Sequence, residues 1–431
     1  MKIKSLILFL SLLFCSIVSA EIEALGNFKN PVAVQEVLSG KRKKANAAWW
    51  GFDKNDSTYA LQGAVNSGAE KVIIPYMGSD WIVRPIKLAS NQEIVFEPGV
   101  VVIAKKGEFK GLTDCLFMFY KLKNVTLRGY GATLKMRKKD YSGKEYKKAQ
   151  WRHVILFRGA TNIKILGLKL ASFGGDGIAI GSTKREDYIP CRDILIKDCI
   201  FNDNYRQGIS VGSVDKLRID NCIFRGTSGT PPSAGIDFEP DDHREILSNI
   251  VVSNCISENN AGSGFMVVVN NLNSRSRETS VLIINSYVRN CREPGLTVYG
   301  YIKEDSPHGV IEFRNCTVEK TVSPGIRVDA KTSPALKIRF VDCNLKEVAT
   351  NSSTTPIRFN FHKIAQTSKI EFENCYVYDN KNRPFMRVFG TVPGNGLFDI
   401  KGNINVHNKY GATIDSQSPF KSASLKIKNY K

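Results

Sequence analysis

Two acidic residues stand two positions apart in the phrase Ala-Gly-Ile-Asp-Phe-Glu-Pro, as Asp237 and Glu239. Residues i and i+2 of an extended strand share one face and lie about 6.6–7 Å apart. Two carboxyl groups at such a separation can hydrolyse a glycosidic bond, because one protonates the leaving oxygen while the other activates water. A third acid, Asp176, lies in a similar Asp-Gly-Ile phrase about two repeats earlier and completes the predicted catalytic set.

The residues around these acids are the predicted contacts to a sugar. Arg206 is the central one, since a guanidinium group can neutralise paired carboxylates or bind an anionic sugar. The pattern predicts no metal ligands. The predicted substrate-binding residues are Tyr205, Arg206, Gln207, His153 and Tyr299.

The same residues are compatible with a second chemistry. In a polysaccharide lyase the carboxylates would bind Ca²⁺, which prefers several oxygen ligands, and Arg206 would take the proton α to a uronate carboxyl group. Calcium is therefore expected only if the protein is a lyase. A third hypothesis is a non-catalytic β-helix that binds glycans or has a structural role. The residue types alone leave these three open, with hydrolysis as the leading hypothesis.

The acids lie within a sequence repeat that runs from about residue 120 onward. Its first phrase alternates apolar and other residues and then reads Asn or Asp, Cys, any residue, apolar, as in Ile-Leu-Ile-Lys-Asp-Cys-Ile-Phe. Successive copies are 23 to 33 residues apart. The residues at the cysteine place are Leu168, Cys199, Cys222, Cys255, Ser286, Cys316, Cys343 and Cys375.

A second phrase, a small residue followed by Gly and by alternating apolar residues, lies between copies of the first. Each repeat therefore holds at least two short strands. Strands that recur about every 30 residues without hairpin turns predict an all-β parallel β-helix solenoid, whose coils stack about 4.8 Å apart. A β-propeller is the alternative, but its repeats run to about 40–50 residues. The second phrase occurs at 176–180, 207–211, 234–238, 263–267, 294–298 and 324–328.

Aligning these copies sorts the strand residues by face. The apolar positions are predicted to point inward, which puts both Asp237 and Glu239 outward. Small residues precede the acids in both outward columns, which predicts a shallow floor with room for a sugar ring, flanked by insertions at 182–193 and 225–234. The two columns read Ala179, Ser210, Asp237, Met266, Thr297, Arg327 and Gly181, Gly212, Glu239, Val268, Tyr299, Asp329.

The repeated cysteines are predicted to form an inward ladder of free thiols. They recur at equivalent coil positions within the predicted strands, and a free cysteine behaves as a small buried hydrophobe. Zinc binding is not expected, because no close pair of Cys or His has the usual ligand spacing. Stacked disulfides are the minor alternative.

The chain needs a cap at its N-terminal end, since an open solenoid exposes its core and strand edges. Residues 56–75 predict a short helix, begun by Asp56 or Ser57 and ended by Gly68, followed by the first strand. This helix-then-strand phrase resembles the opening of the pectate-lyase-like superfamily. The resemblance covers about residues 50–390 and implies a right-handed β-helix and action on polysaccharides.

Within that superfamily, the segment 174–182 resembles the part of polygalacturonases that carries paired aspartates. The segment 207–213 resembles the part that carries their Gly-His-Gly. Here Gly175 replaces the first aspartate and Gln207 replaces the histidine, so Asp176 alone carries over. The resemblance thus implies a site that is built differently from that of a polygalacturonase.

The composition and the N-terminal residues narrow the expected class of binding partner. The chain has 431 residues with 61 Lys or Arg against 41 Asp or Glu, a formal net charge of +20 that favours an anionic partner. Residues 1–20 have a basic start, an apolar stretch and small residues up to Ala20, which predicts a signal peptide and a secreted or periplasmic protein. Export argues against nucleic acid, and no other segment is apolar enough to span a membrane. An acidic polysaccharide is the expected partner.

The predicted organisation is one solenoid rather than several domains. Residues 21–50 are expected to be a flexible or capping segment, and 51–395 the β-helix. Residues 396–431 are expected to be the last coil or a C-terminal cap. The sequence leaves the oligomeric state open, because β-helices occur as monomers and as trimers and no coiled-coil segment favours a trimer.

Overall fold

The computed structural model describes residues 28–183, 187–300, 307–329, 335–351, 353–360, 369–389, 400–416 and 424–430. The predicted signal peptide, residues 1–20, lies outside these residues. No helix among those described is long and apolar enough to cross a membrane.

Short helices lie at the N-terminal end of the solenoid. The first begins at Pro31, whose fixed φ suits a first helical position, and the Asn30 side chain accepts from the Ala33 N–H at 3.0 Å. The predicted capping helix is confirmed: Asp56 Oδ1 accepts from the Thr58 N–H at 3.1 Å, and Gly68 follows the helix with a φ of 79°. The helices are α1 (Pro31–Leu38), a 3₁₀ turn (Ala47–Trp50), α2 (Thr58–Asn66) and α3 (Lys138–Tyr141).

The rest of the described chain is a parallel β-helix whose strands form three rows, here named faces 1, 2 and 3. Every pairing between named strands is parallel and joins each coil to the next, as in the pairing of Ile178 with Ile209 and of Ile209 with Ile236. The prediction of a β-helix is therefore confirmed, and the propeller alternative is wrong. The cause is the repeat length, which brings the chain back to the same face once per coil.

The strands of face 1 are Lys44–Asn46, Lys71–Ile74, Gln92–Phe96, Lys123–Arg128, Thr161–Leu166, Cys191–Lys197, Val214–Asp220, Leu247–Ser253, Thr279–Ile284, Gly309–Arg314, Leu336–Val341, Lys369–Tyr378, Ile400–His407 and Leu425–Tyr430. The strands of face 2 are Trp81–Val83, Val101–Ala104, Thr133–Lys135, Lys169–Ala171, Ile200–Asn202, Ile223–Arg225, Ile256–Glu258, Tyr287–Arg289, Thr317–Glu319 and Asn344–Lys346. The strands of face 3 are Ile86–Lys87, Phe117–Tyr120, Ile155–Arg158, Ile178–Gly181, Ile209–Val211, Ile236–Phe238, Phe265–Val268, Leu296–Tyr299, Ile326–Asp329, Ile357–Asn360, Met386–Phe389 and Ile414–Ser416.

The core is a stack of identical positions from successive coils. Alternating strand residues point inward and are buried, and similar residues at equivalent positions of successive coils stack on one another. The rings of Phe201 and Phe224 stack with centroids 4.8 Å apart, close to the strand spacing. This register fixes which side chains face outward on each face.

Cys199, Cys222 and Cys255 lie at the corner between faces 1 and 2, and not within strands as the sequence had indicated. Cys199 and Cys222 each follow a residue with positive φ, Asp198 at 56° and Asn221 at 53°. Asn and Asp tolerate this left-handed conformation, which explains why they precede the cysteine in the repeated phrase. The nine cysteines described are free and buried, so the predicted ladder of thiols is confirmed.

The solenoid begins earlier than residue 51. The strand Lys44–Asn46 pairs in parallel with Lys71–Ile74, and α1 precedes it, so residues 31–46 are a folded cap rather than a flexible leader. At the other end, the strand Leu425–Tyr430 pairs with Ile400–His407. The described part of 396–431 thus continues the coils.

Candidate active site

Face 3 carries the predicted acids in the register that the sequence alignment indicated. Ala179 pairs with Ser210, Ser210 with Asp237, and Asp237 with Met266. The small residues on the two coils before Asp237 leave a depression above this face. The depression is a cleft of about 310 Å³, and its floor and walls are polar.

Asp176 lies at the turn that enters the strand Ile178–Gly181, where its side chain is 1% exposed. Its backbone N–H donates to His153 Nδ1 at 3.0 Å. Burial raises the pKa of Asp176 to about 7, against the lowering effect of the Arg206 charge. A carboxyl group with such a pKa holds its proton in neutral and mildly acidic solution, which suits a proton donor.

His153 is buried one coil earlier than Asp176. Burial, together with the charges of Arg158 and Arg206, lowers the pKa of His153 to about 3, so the ring is neutral. The 3.4 Å separation between His153 Nδ1 and Asp176 Oδ2 is therefore not an ion pair. His153 lines the cleft, and the hydrogen bond that it accepts fixes the backbone of Asp176.

Arg206 links two carboxylates across the cleft. Its Nη1 lies 3.4 Å from Asp176 Oδ2 and its Nη2 lies 3.4 Å from Glu239 Oε2. The Arg206 side chain is 15% exposed, whereas that of Glu239 is 37% exposed, so Glu239 meets solvent at the rim. Asp176 and Glu239 thus flank the cleft on either side of one guanidinium group.

Asp237 lies in the outward column that the sequence predicted, but it is covered by neighbouring residues and is fully buried. Its Oδ2 accepts from Gln207 Nε2 at 2.6 Å. Burial and the charge of Glu239 raise the pKa of Asp237 well above its usual range. Asp176 and Glu239 line the cleft, whereas Asp237 is buried behind Gln207 and does not. The pair that can flank a bound sugar is therefore Asp176 and Glu239 rather than Asp237 and Glu239.

Two predicted substrate contacts lie outside the cleft. Gln207 is fully buried, and its Oε1 accepts from the Ala234 N–H at 3.3 Å, so it supports Asp237 from below. Tyr205 packs against Gly229, where an added Cβ would lie 2.3 Å from the Tyr205 ring. Strand alternation could not show this, because both residues lie in the turn before their strand and not in it.

Several residues of the cleft were missed or left unassigned. Arg158 pairs in register with Gly181 and so belongs to the same outward column as Glu239, one coil before the first residue of the predicted column. Extending the column would have found it. Trp151 and Gln150 reach the cleft from the loop before face 3, which no strand pattern could place, and Asp241 lies on the opposite wall.

A second cavity of about 750 Å³ adjoins the first along face 3. The two share Gln150, Arg206 and Glu239 in their linings, so they form one groove. Tyr299 lines the second cavity, as the sequence predicted for a substrate contact, and the loop 225–234 supplies its wall through Pro231 and Pro232. The groove runs along the solenoid axis, the direction in which a polymer could lie.

Three buried polar atoms at this site have no hydrogen-bond partner among the residues that the structure describes. They are Asp176 Oδ1, Arg206 Nε and Asp237 Oδ1. Buried polar groups are nearly always paired, and unpaired ones concentrate where a ligand or water completes the site.

The site does not fit a calcium ion. The Arg206 guanidinium occupies the position between Asp176 and Glu239, where a cation would have to bind both carboxylates. Within the described ranges no group of three or more His, Cys, Asp or Glu could hold a metal. No step of the chemistry below therefore passes through a metal.

Comparison with known proteins agrees with the fold. Residues 150–345 match the family described as the right handed beta helix region. The A-module of the mannuronan C-5 epimerase AlgE6 from Azotobacter vinelandii is similar with a TM-score of 0.62 at 12% identity, over 90% of this chain and 99% of that one. The family 28 exopolygalacturonase of Yersinia enterocolitica is similar with a TM-score of 0.52 at 12% identity, over 90% and 78%. The predicted resemblance to the pectate-lyase-like superfamily is confirmed, and at these identities it is a likeness of fold.

A further relative is the uncharacterised protein YclG of Bacillus subtilis (strain 168). It is 27% identical over 220 residues, which are 45% of this chain and 37% of YclG. The matched part thus spans little more than a third of that relative. These likenesses define a right-handed parallel β-helix protein and leave its reaction to be inferred from the site.

Proposed function

We propose that this protein is a secreted enzyme that hydrolyses the glycosidic bonds of an acidic polysaccharide. Asp176 is the general acid that protonates the leaving oxygen. Glu239 is the carboxylate that activates the attacking water on the opposite side of the glycosidic bond. The groove along face 3 binds the polymer on both sides of the cleft. Export rests on the predicted signal peptide, residues 1–20.

The observation that carries this proposal is the state of Asp176. It is a buried carboxyl group beside a polar cleft, its pKa is raised to about 7, and its Oδ1 is unpaired among the described residues. Structural ion pairs normally lower the pKa of an acid, whereas a general acid needs one near the working pH.

Glu239 is suited to the complementary role. It is the most exposed of the three acids, at 37%, and its Oε2 lies 3.4 Å from Arg206 Nη2 at the rim of the cleft. Asp237 lies two residues before Glu239, and burial together with the Glu239 charge raises the pKa of Asp237. Asp237 is thus a positioning residue, and Gln207 holds it in turn.

The lyase hypothesis receives less support from this geometry. It requires Arg206 to accept a proton, but the Arg206 guanidinium is a hydrogen-bond donor to both Asp176 and Glu239 and lies between them. The site also does not accommodate the calcium ion that the hypothesis included.

An anionic substrate follows from charge. The sequence has a net charge of +20, and Arg158 and Arg206 both line the cleft. The AlgE6 module and the exopolygalacturonase, by their names, act on mannuronan and polygalacturonate, and both are similar to this chain in fold. We infer a polymer that carries carboxylate or sulfate groups.

The test is an activity screen with matched variants. The purified protein is incubated with polygalacturonate, alginate, a carrageenan, xylan and amylose, and both reducing ends and the ultraviolet absorbance of unsaturated uronate ends are measured. Hydrolysis gives reducing ends without absorbance. Asp176→Asn and Glu239→Gln should each lower kcat by about 10²- to 10⁴-fold.

The control is Asp242→Asn, an acid in the nearby turn that is paired with Arg244 and does not line the cleft. It should retain full activity. Unsaturated products would overturn the hydrolytic mechanism, and unchanged kcat in both site variants would overturn the assignment of the residues. Absence of any cleavage, with retained binding, would favour a non-catalytic glycan-binding protein.

A further inference from the structure

Three arginines lie side by side on face 3, beyond Tyr299 in the direction of the C-terminus. Arg327 pairs in register with Arg358, and Arg358 pairs with Arg387. They follow Asp237 in the same outward column, so their side chains leave the same side of the solenoid. Neighbouring rungs are about 4.8 Å apart, which brings three like charges close together.

The outer two arginines have carboxylate partners. Arg327 Nη2 lies 2.6 Å from Asp329 Oδ2, and Arg387 Nε lies 2.7 Å from Asp415 Oδ2. Each of these ion pairs offsets one positive charge of the row.

The middle one, Arg358, has a neutral partner. Its Nε donates to Asn360 Oδ1 at 2.9 Å, and its guanidinium carbon lies 4.7 Å from the centroid of the Phe389 ring. Across the described residues, no carboxylate lies within ion-pair distance of Arg358. Asn360 itself donates to Asp329 Oδ1 at 2.6 Å, so the amide occupies the place between Arg358 and the nearest acid.

This arrangement costs free energy in the unliganded protein. Burial, followed by the charge of Arg327, lowers the pKa of Arg358, and Arg387 acts in the same direction. Asp329 opposes the effect but is already paired with Arg327. Three arginines face two carboxylates, and the excess positive charge is at the centre of the row. An anion supplied from outside would offset it.

The row is continuous with the groove. Tyr299 lines the second cavity, and the Arg327 guanidinium carbon lies 5.5 Å from the centroid of its ring. Arg358 stands five rungs beyond Ser210 in the cleft, which at about 4.8 Å per rung is about 24 Å along the axis. A polymer in the cleft that follows face 3 therefore passes over these arginines.

We propose that Arg358, between Arg327 and Arg387, forms a distal subsite that binds an acidic group of the polysaccharide, either a carboxylate or a sulfate. Both oxyanions match the planar fork of donors on a guanidinium group. The inference rests on the proposed function, since the ligand is the same polymer that reaches the cleft. The subsite makes binding depend on the charge of a part of the polymer that lies away from the bond to be cleaved.

The test compares Arg358→Gln with Arg314→Gln in the full chain. Arg314 lies on face 1, is paired with Glu312 and gives the same change in net charge away from the groove. Calorimetry measures binding of polygalacturonate, alginate, a carrageenan and xylan. Arg358→Gln should raise the Kd of the preferred acidic polymer about tenfold or more, because charge-assisted hydrogen bonds are lost, and should leave xylan unchanged. Carboxylated and sulfated polymers then show which oxyanion is bound.

The conservative variant Arg358→Lys keeps the charge but loses the fork, and its Kd should lie between those of the wild type and Arg358→Gln. Thermal unfolding of both variants shows whether the fold is intact. Equal binding of the acidic polymers by Arg358→Gln and Arg314→Gln would overturn the subsite, as would failure of the wild type to bind any of them.

The two proposals fail separately. If cleavage persists in Asp176→Asn and Glu239→Gln while Arg358→Gln binds weakly, the catalytic assignment is wrong and the subsite stands. If kcat depends on Asp176 and Glu239 but Arg358→Gln changes neither Kd nor KM, the subsite is wrong and the catalytic assignment stands.

Discussion

The raised pKa of Asp176 has a consequence for stability that can be measured without a substrate. The folded-state pKa is about 7, whereas an unperturbed aspartate has a pKa of 3.8. Between these values the folded chain holds a proton that the unfolded chain has released. The wild type is therefore stabilised at low pH, and this contribution is lost as the pH rises through about 7. Asp176→Asn has no such group, so its stability lacks this contribution.

The size of the effect follows from the shift. Each pKa unit corresponds to about 1.4 kcal/mol. From pH 5 to the folded-state pKa of about 7 is roughly two units, so the wild type should lose about 3 kcal/mol relative to Asp176→Asn over this interval. Above pH 7 the difference stays constant. Since Asp176 is 1% exposed, solvent screening does not reduce this figure much.

Guanidinium unfolding of both proteins at pH 5, 6, 7 and 8 measures the difference. Asp242→Asn is the control: the Arg244 guanidinium lowers the pKa of Asp242 below its ordinary value of 3.8, so its difference from the wild type should not change between pH 5 and pH 8. A difference between wild type and Asp176→Asn that stays the same at all four pH values would show that Asp176 is ionised throughout. The assignment of a general acid would then be wrong. If the assignment is right, kcat/KM of the wild type also falls above pH 7.

Three further changes test other parts of the structure. Gln207→Ala leaves Asp237 Oδ2 and the Ala234 N–H unpaired, so guanidinium unfolding should show a loss of about 1–3 kcal/mol, and an unchanged midpoint would contradict the network. The nine buried cysteines should react with a thiol reagent in guanidinium but not in the native protein, and a fast native reaction would contradict the buried ladder. Phe224→Ala removes a ring stacked on Phe201 and should lose about 3–5 kcal/mol in thermal unfolding, whereas Phe224→Leu should lose much less; equal losses would refute ring packing as the cause.

Much of the fold could be read from the repeat. The period of about 30 residues, the strand alternation and the Asn-Cys phrase predicted at least two strands per coil and their inward faces, and the structure shows three rows of strands. The prediction that Cys199, Cys222 and Cys255 lie within strands was wrong. The Asn or Asp before the cysteine adopts a left-handed conformation at a corner of the coil, as Asn221 does. A strand pattern records which residues alternate but not where the chain bends, and the bend is visible only in the backbone dihedrals.

The candidate site could be read in part. The strand register placed Asp237 beside Ser210 and Met266. Asp176 and Arg206 lie in the turns that precede neighbouring strands of face 3, so the repeat also placed them at this face. The roles of the acids could not be read, because exposure depends on how the turn residues fold over the strand. Gln207 closes over Asp237 and leaves Glu239 at the rim, so the two acids of one phrase have different environments.

The sequence alone determined the solenoid, the columns of its faces and the excess of positive charge, because these depend on periodicity and composition along one chain. The tertiary structure alone decided that Asp176 is paired across the cleft with Glu239 through Arg206, and that Arg358 is left with a neutral partner. The Arg206 contacts join residues 30 and 33 positions apart, and the Arg358 contact with Asn360 depends on side-chain reach along one strand. Burial also sets the pKa of Asp176, and burial is a property of the packed coils rather than of the phrase that carries the residue.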